Sequence, residues 1–251
     1  MTPVLEMKNA SISLNKKLII DNMNLKIQEH ESVVFIGPSG GGKTILLKLL
    51  AGIYSPTAGD VFINGENWHD ITGEHKHDLA KKLGMLFQQG ALFDPLTVIE
   101  NVAFPIREHY NLPEEEVLAK SQDLLEKVNL LDSKNKLPVQ LSGGMQRRLG
   151  IARALALNPQ IIFYDDPVAG QDPMQSDQML RLISNFKEKN KSTLLMVTSN
   201  MKVAYRMADR IFMIIDHELI DAGTPKQILE HPDPRIQQFI HGSLDGPIKS
   251  L

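Results

Sequence analysis

The sequence lacks cysteine altogether, and none of its apolar runs approaches the length of a bilayer span. Without cysteine there can be no disulfide, no catalytic thiolate and no zinc–thiolate site. A membrane-spanning helix needs about 20 consecutive apolar residues, so we expect any role at a membrane to depend on a partner. Residues 1–9 also lack the basic-then-apolar pattern of a signal peptide.

Neither sign of charge is in large excess, because 27 basic residues face 30 acidic ones for a net charge of −3. A chain without a broad basic surface is not expected to bind nucleic acid through its phosphates. We therefore predict no nucleic-acid partner. The length of 251 residues is sufficient for one large α/β domain with an ample core.

Continuous apolar runs separated by helical stretches indicate the fold class. Residues 33–36, 161–164, 194–197 and 211–215 have the composition of strands that are buried on both faces. Strands that alternate with helices predict an α/β fold with a mainly parallel, doubly wound sheet. Residues 1–30 predict additional short strands with polar interruptions.

The organisation predicted from these patterns is one domain that covers residues 1–251. A helical subdomain is expected as an insertion at approximately residues 90–160. Within it, Pro113 followed by three glutamates is suited to the start of a helix. Residues 225–251 predict a helical tail with a Pro/Gly-rich end.

A glycine-rich segment, here called the phosphate loop, follows the first buried run. Residues 37–44 match G-x-x-x-x-G-K-[ST] between a predicted strand and a predicted helix. Glycines let the backbone wrap around phosphate oxygens, while Lys43 reaches the β- and γ-phosphates and Thr44 binds Mg²⁺. The predicted ATP-binding residues of the loop are Gly37, Pro38, Ser39, Gly40, Gly41, Gly42, Lys43 and Thr44.

Two carboxylates end the second buried run. Asp165 and Asp166 follow residues 161–164 at the carboxyl end of a predicted strand, which is where open α/β sheets bind ligands. A strand that ends in two acids is commonplace by itself, and the phosphate loop gives the pair its significance. We predict that Asp165 holds Mg²⁺ through water and that Asp166 faces the attacking water.

A Ser-Gly-Gly turn, here called the signature (residues 141–144), opens a further helical stretch. Ser142, Gly143 and Gly144 form a second arrangement suited to an anion at a helix start. Taken alone, such a turn is more often a simple helix cap. The chain therefore contains two helix starts that are candidates for binding phosphate.

The phosphate loop, Gln88, the signature, the Asp165 strand and residues 170–173 resemble those of ABC-transporter ATPases in order and approximate spacing. The resemblance covers nearly the whole chain and implies a P-loop NTPase fold with antiparallel N-terminal strands. It implies a head-to-tail homodimer in which the signature of one subunit binds the γ-phosphate of ATP held by the other. It also implies that Gln88 senses Mg²⁺ and the γ-phosphate and relays their state to a membrane permease.

A narrower resemblance connects the chain to the ATPases of the Mla phospholipid-transport system of Gram-negative envelopes. It rests on residues 86–93, 104–109 and 170–173 and on the tail at 231–247. It implies a peripheral subunit on the cytoplasmic face of the inner membrane. The implied partners are a permease, a small STAS-type regulatory protein and a periplasmic lipid-binding component.

The Mla resemblance also implies that the tail reaches across the dimer. Phe239 is then expected as a buried anchor, and Arg235 is expected to supply polar contacts to the other subunit. Deletion of residues 231–251 is expected to weaken the assembly while leaving nucleotide binding by the isolated chain nearly unchanged.

Three positions depart from the ABC pattern. Asp166 stands where the family usually has Glu, Ser199 stands where it usually has His, and Leu14 replaces the aromatic residue that stacks on adenine. The shorter Asp withdraws its carboxylate by roughly 1 Å, which can cost on the order of 10²-fold in rate. We therefore expect slow hydrolysis.

Two alternatives to a transport ATPase remain open at this point. One is a regulatory nucleotide-binding subunit that hydrolyses ATP poorly, which the residues at positions 166 and 199 favour. The other is a soluble ABC ATPase that acts on DNA or ribosomes. Such proteins typically carry coiled-coil insertions or two fused cassettes, and this sequence has neither.

Overall fold

A computed structural model describes residues 2–88 and 90–248. The chain divides into two compact units. Unit 1 consists of Met1–Lys76 and Thr193–Leu251, and unit 2 consists of His77–Ser192. The helical insertion predicted at residues 90–160 falls within unit 2, and its bounds stay a prediction.

The secondary structure alternates between strands and helices along most of the chain. The strands are β1 (Leu5–Leu14), β2 (Lys17–Ile27), β3 (Ser32–Ile36), β4 (Ala58–Ile63), β5 (Glu66–Asn67), β6 (Leu83–Leu86), β7 (Ile161–Asp165), β8 (Thr193–Val197), β9 (Arg210–Ile215) and β10 (Glu218–Gly223). The α-helices are α1 (Lys43–Leu50), α2 (Gly73–Ala80), α3 (Val98–His109), α4 (Glu114–Lys127), α5 (Gly143–Ala154), α6 (Pro173–Asn190), α7 (Met201–Met207) and α8 (Pro234–His241). Short 3₁₀ helices cover Leu131–Ser133, Pro138–Gln140 and Gln227–Glu230.

Unit 1 contains an antiparallel sheet in the strand order β2-β1-β4-β5. In β1, Leu5, Met7, Ala10 and Ile12 are buried, and the alternation shifts at Asn9, which has a positive φ of 46°. The register between β1 and β2 is irregular at the same place, which identifies a bulge. The prediction of antiparallel N-terminal strands is confirmed.

The second set of strands in unit 1 follows the order β10-β9-β3-β8. β3 pairs in parallel with both β8 and β9, and β10 returns antiparallel to β9. All residues of β3 and β8 are buried, which explains their continuous apolar sequences. β3 leads into the phosphate loop, and α1 follows, held by four buried leucines.

Unit 2 contains the parallel pair β6 and β7 and the helices α3, α4 and α5. Ala103 and Ile106 of α3 form a core with Val117 of α4. Thr97 and Glu100 form a capping box at the start of α3. The buried Asn101 donates to the carbonyls of Phe93 and Leu96 at 3.1 and 3.0 Å, which fixes the loop before the helix.

The longest helix is α6, with 18 residues, and it carries charged side chains along its length. Within residues 2–88 and 90–248, no helix is long and apolar enough to cross a membrane.

The tail belongs to unit 1. In α8, Ile236 is buried and Phe239 is half-buried. Arg235 forms ion pairs with Asp216, Glu218 and Asp233 of its own chain. The role of Phe239 and Arg235 toward a second subunit stays a prediction.

Candidate functional site

The phosphate loop requires glycine at two positions. Gly37 has a φ of 145°, and a Cβ built on it would lie 2.2 Å from the carbonyl oxygen of Ile214. Gly42 is the N-cap of α1 with a φ of 95°, in the left-handed region. An L-residue at either position would strain or displace the backbone, so the loop conformation depends on these glycines.

Lys43 and Thr44 occupy the first turn of α1. The Lys43 ammonium group donates to the carbonyl oxygens of Gly37 at 2.9 Å and Pro38 at 2.8 Å. Among the residues that the structure describes, no side chain caps the N-terminus of this helix. Its first N–H groups and the lysine therefore provide a concentration of donors suited to phosphate oxygens.

The end of β7 presents the two predicted carboxylates in different settings. Asp165 is 4% exposed at the last strand position, and Asp166 is half-buried in the turn that follows. Asp166 has a φ of 43°, a left-handed conformation that Asp tolerates better than most residues. Burial raises the pKa of the neighbouring Tyr164 hydroxyl, which keeps this side chain neutral.

The signature forms the start of α5. The Ser142 hydroxyl accepts a hydrogen bond from the Met145 N–H at 3.3 Å and caps the helix. Ser142 and Gly143 are exposed, and apart from its chain neighbours and its own helix backbone no described atom lies within 4 Å of a Cβ built on Gly143. A Cβ on Gly144 would lie 3.3 Å from Gln175 Oε1. The exposed face at the start of this helix therefore has room for a ligand.

A cavity of about 630 Å³ adjoins the signature within unit 2. Its lining includes Ser142, Gly144, Arg148, Gln171 and Gln175. The side-chain Nε2 and Oε1 of Gln171 and the Nε of Arg148 are buried and have no hydrogen-bond partner among the described residues. Unmatched buried polar atoms at a cavity are positions where a bound molecule can supply the missing bonds.

Gln171 lies in the motif at residues 170–173 and Arg148 lies four residues after the signature, but the sequence alone did not indicate a role for either residue. Both lie close in sequence to predicted site residues, since Arg148 is in the helix opened by the signature and Gln171 lies five residues after Asp166. The sequence signal that could have pointed to these two residues is their position next to those motifs. That both side chains line one cavity depends on the tertiary structure around α5 and α6, which no local pattern reveals.

The remaining predicted residues lie at the ends of strands. Gln88 is exposed in the turn after β6, and Leu14 is the half-buried last residue of β1. Ser199 is exposed in the connection between β8 and α7, where Asn200 caps the helix. Unit 1 thus contains the phosphate loop, Leu14 and Ser199, while unit 2 contains Gln88, Asp165, Asp166 and the signature.

Comparison with known proteins identifies the family. A sequence profile described as ABC transporter matches residues 20–169. The chain belongs to the ABC transporter family. It is 38% identical over 246 residues to the intermembrane phospholipid transport system ATP-binding protein MlaF of Haemophilus influenzae, covering 98% of this chain and 93% of that protein.

Other relatives carry different names. The chain is 34% identical to the probable ribonucleotide transport ATP-binding protein mkl of Mycobacterium leprae, covering 99% of this chain and 72% of that protein. Among solved structures, it matches the dimeric ATP-binding cassette MJ0796 bound to ADP and Pi with a TM-score of 0.78 and 33% identity. This match covers 86% of the chain and 96% of the cassette.

These similarities confirm the predicted fold class and the resemblance to MlaF-like ABC ATPases. The chain is an ABC ATPase that binds ATP, and its phosphate loop lies within the residues that match the family profile.

Proposed function

We propose that the chain is the ATP-hydrolysing subunit of a phospholipid transporter, and that it acts as a head-to-tail homodimer beneath a membrane permease. The observation that carries this proposal is the similarity to MlaF over 98% of the chain. The intact phosphate loop supports ATP binding, and the exposed signature supports a second subunit as the source of its ligand.

The proposed dimer brings the signature of one subunit to the γ-phosphate held by the other. The N–H groups at the start of α5 and the Ser142 hydroxyl then donate to phosphate oxygens. The buried Nε of Arg148 and the unmatched amide of Gln171 support this assignment, because both residues line the adjoining cavity. A guanidinium and an amide provide donors for an anion or for polar groups of the second subunit.

Mg²⁺ is the cofactor that accompanies ATP in this proposal. The residues that we assign to it are Thr44, Gln88 and Asp165, because a hydroxyl, an amide oxygen and a carboxylate are each hard oxygen donors of the kind that Mg²⁺ prefers. Mg²⁺ commonly takes one or two protein ligands together with waters and substrate phosphates, so this small donor set is sufficient. When bound, the ion neutralises charge on the β- and γ-phosphates.

Hydrolysis is assigned to Asp166 and Ser199. Asp166 would orient the attacking water, and Ser199 would donate a hydrogen bond toward the γ-phosphate. Because both side chains are shorter than the usual Glu and His, we propose that turnover is slow. The same two residues favour the second candidate, a regulatory subunit whose function depends on ATP-driven closure with little hydrolysis.

A surface on unit 2 supports docking of a permease helix. Phe93 and Phe104 are 39% and 38% exposed, and their ring centroids lie 4.7 Å apart. The Arg153 guanidinium lies 5.2 Å from the Phe93 ring centroid and donates to the carbonyls of Gly90 and Ala91. An exposed aromatic pair formed between a fixed loop and a helix, here Phe93 and Phe104 of α3, is typical of an interaction site, and Gln88 lies in the turn before Phe93.

The proposed location is the cytoplasmic face of the inner membrane, as a peripheral subunit held by the permease. A STAS-type regulatory protein and a periplasmic lipid-binding component complete the proposed assembly. The similarity to MlaF supports a lipid cargo, while the similarity to mkl shows that related chains carry other transport names.

Purification of the tagged chain from native membranes tests the proposal. We expect a permease to copurify, and we expect the complex in liposomes to move fluorescent phospholipid in an ATP-dependent manner. Lys43→Ala is the control that should abolish transfer while the complex still forms. Recovery of the chain without any membrane protein, or transfer that does not require ATP, would contradict the proposed function.

A further inference from the structure

A cavity of about 680 Å³ lies beside the phosphate loop, entirely within unit 1. Residues 38–41 of the loop form one side of it, and Lys17 and Ile19 of β2 form another. Pro247 and Ile248, from the end of the described chain, also line it. Its volume is within the range of about 300–1,000 Å³ that is typical of small-molecule sites.

The β2 side of this cavity lies between the positions expected for the phosphates and for the adenine base of ATP. Ile19 adjoins the phosphate end, because a Cβ built on the helix cap Gly42 would lie 3.0 Å from Ile19 Cγ2. Lys17 adjoins the base end, because it pairs in register with Leu14, the residue predicted to contact adenine. A nucleotide that extends from Gly42 to Leu14 therefore passes along Ile19 and Lys17.

The residues that close the cavity belong to a segment that folds back on α8, here called the strap (residues 243–248). Gly242 ends α8 in the left-handed conformation, with a φ of 63°, and reverses the chain. The buried Gln238 then holds both ends of the strap. Its Nε2 donates to the carbonyl oxygens of Ser243 at 3.3 Å and Ile248 at 3.0 Å, and its Oε1 accepts from the Ile248 N–H at 2.7 Å.

Close contact inside the strap requires glycine at position 246. A Cβ built on Gly246 would lie 2.3 Å from Gln238 Oε1, and its φ of 155° is in the range that favours glycine. The Gln238 side chain and Gly246 thus fit together as a clamp.

A separate set of contacts fixes α8 beside the cavity. Arg235 donates to Glu218 at 3.1 Å and pairs with Asp216 at 3.6 Å, and Asp216 lies in the turn between β9 and β10. This turn lines the cavity and is itself held to β2, where His217 Nδ1 lies 3.1 Å from the carbonyl oxygen of Ile19. The strap, the turn and β2 are therefore connected parts of one wall.

We propose that the strap forms the outer wall of the site for the nucleoside part of ATP in its own chain, and that Gln238 is the positioning residue that holds it there. The inference rests on the proposed function, since it assigns a further part of the same ATP site. Pro247 and Ile248 provide an apolar surface for the sugar and base, which Leu14 alone supplies weakly because it lacks an aromatic ring. The earlier expectation that the tail is dispensable for nucleotide binding is replaced by this proposal.

The test compares the binding of two ligands by the isolated full-length chain with Mg²⁺ present. Calorimetric titration gives the Kd of ATP and the Kd of inorganic triphosphate, which occupies the phosphate loop but has no nucleoside. Gln238→Leu removes the three bonds that hold the strap. Gln237→Leu is the matched control, because Gln237 donates to the carbonyls of Ile228 and His231 and not to the strap.

The expected result for Gln238→Leu is an increase of about five- to tenfold in the Kd of ATP, with that of triphosphate unchanged, since a wall of this kind contributes on the order of a few hydrogen bonds and apolar contacts. A chain that ends at Gly242 should behave in the same way, whereas a chain that ends at Ile248 should bind as the full-length protein does. This pair of truncations keeps the test valid if Gln238→Leu fails to fold.

Three results would overturn the inference. An unchanged ATP affinity in both the Gln238→Leu chain and the chain that ends at Gly242 would show that the strap is not part of the site. An equal loss for ATP and triphosphate would show that the strap acts on the loop rather than on the nucleoside. If the unaltered chain bound neither ligand, the proposed function itself would fail.

Discussion

The phosphate loop and the signature are both glycine-rich helix starts, but they differ in how far contacts within their own subunit enclose them. The phosphate loop is closed on itself, since Lys43 donates to its first two carbonyls and Gly37 fits against the backbone at Ile214. The signature is open, since Ser142 and Gly143 are exposed and an added Cβ on Gly143 would meet open space among the described atoms.

This difference agrees with the two roles that we propose for these elements. A loop that must hold phosphates by itself needs a fixed conformation, whereas a helix start that closes on a second subunit needs an exposed surface. The caps of the two helices agree with it, because Ser142 caps α5 while no described side chain caps α1. The comparison therefore predicts that damage to the two elements has different consequences.

The largest effect is expected from Lys43→Ala. Removal of the ammonium group takes away the main positive charge that the loop offers to the β- and γ-phosphates. We expect the affinity for Mg-ATP to fall by about 100-fold or more, in line with the loss of charge-assisted hydrogen bonds. Calorimetric titration measures this, and a chain that still bound ATP with nearly normal affinity would contradict our assignment of the loop.

A second substitution tests the role of the exposed signature. Gly143→Asp places a carboxylate at the exposed start of α5, where it would repel a γ-phosphate held by the other subunit. We expect ATP hydrolysis to fall at least about tenfold through this repulsion, while ATP binding by the monomer is retained. Steady-state phosphate release and titration on the same preparation separate the two effects, and loss of monomer binding would remove the contrast between the elements.

The length of the Asp166 side chain is expected to affect the rate of ATP hydrolysis. If the missing methylene limits hydrolysis, Asp166→Glu should raise turnover by about tenfold, because a shift of roughly 1 Å is a large error at a reacting centre. Asp166→Asn should lower it. A decrease in Asp166→Glu would show that the site is adapted to Asp, whose left-handed backbone at φ 43° is less favourable for Glu.

The smallest effect is expected from loss of the Ser142 hydroxyl, and a matched substitution separates its structural role from its proposed functional role. Ser142→Ala and Thr97→Ala each remove a helix cap, so each should lower the free energy of unfolding by about 1 kcal/mol. Only Ser142→Ala should also weaken ATP-dependent dimerisation. Thermal unfolding and light scattering measure the two properties, and equal effects of both substitutions on dimerisation would leave Ser142 as a cap alone.

The sequence was sufficient to predict the elements whose signals are local. The apolar runs at 33–36, 161–164, 194–197 and 211–215 became β3, β7, β8 and β9, because buried parallel strands need continuous apolar side chains. The phosphate loop was equally visible, since its glycines and lysine are adjacent in sequence.

Features that depend on distant parts of the chain could not be predicted. Arg235 has partners 17 and 19 residues earlier, at Glu218 and Asp216, and this pairing requires α8 to pack beside the β9–β10 turn. The clamp at Gln238 depends on the reversal at Gly242. The left-handed backbone of Asp166 is likewise set by the turn that follows β7. An Asp at this position does not by itself predict that conformation.

The most direct test of the central claim measures whether the phosphate loop of one chain meets the signature of another. The protein has no cysteine, so single thiols can be placed at the exposed Ser39 and Gly143 in separately tagged chains that also carry Asp166→Asn to retain ATP. We expect a short thiol-reactive crosslinker to join Ser39→Cys to Gly143→Cys between chains when Mg-ATP is present, and not without it. The pair Ser39→Cys and Ile53→Cys, whose second site is also exposed, should stay unlinked. Crosslinking that is absent with ATP, or that is the same for both pairs, would contradict the head-to-tail dimer.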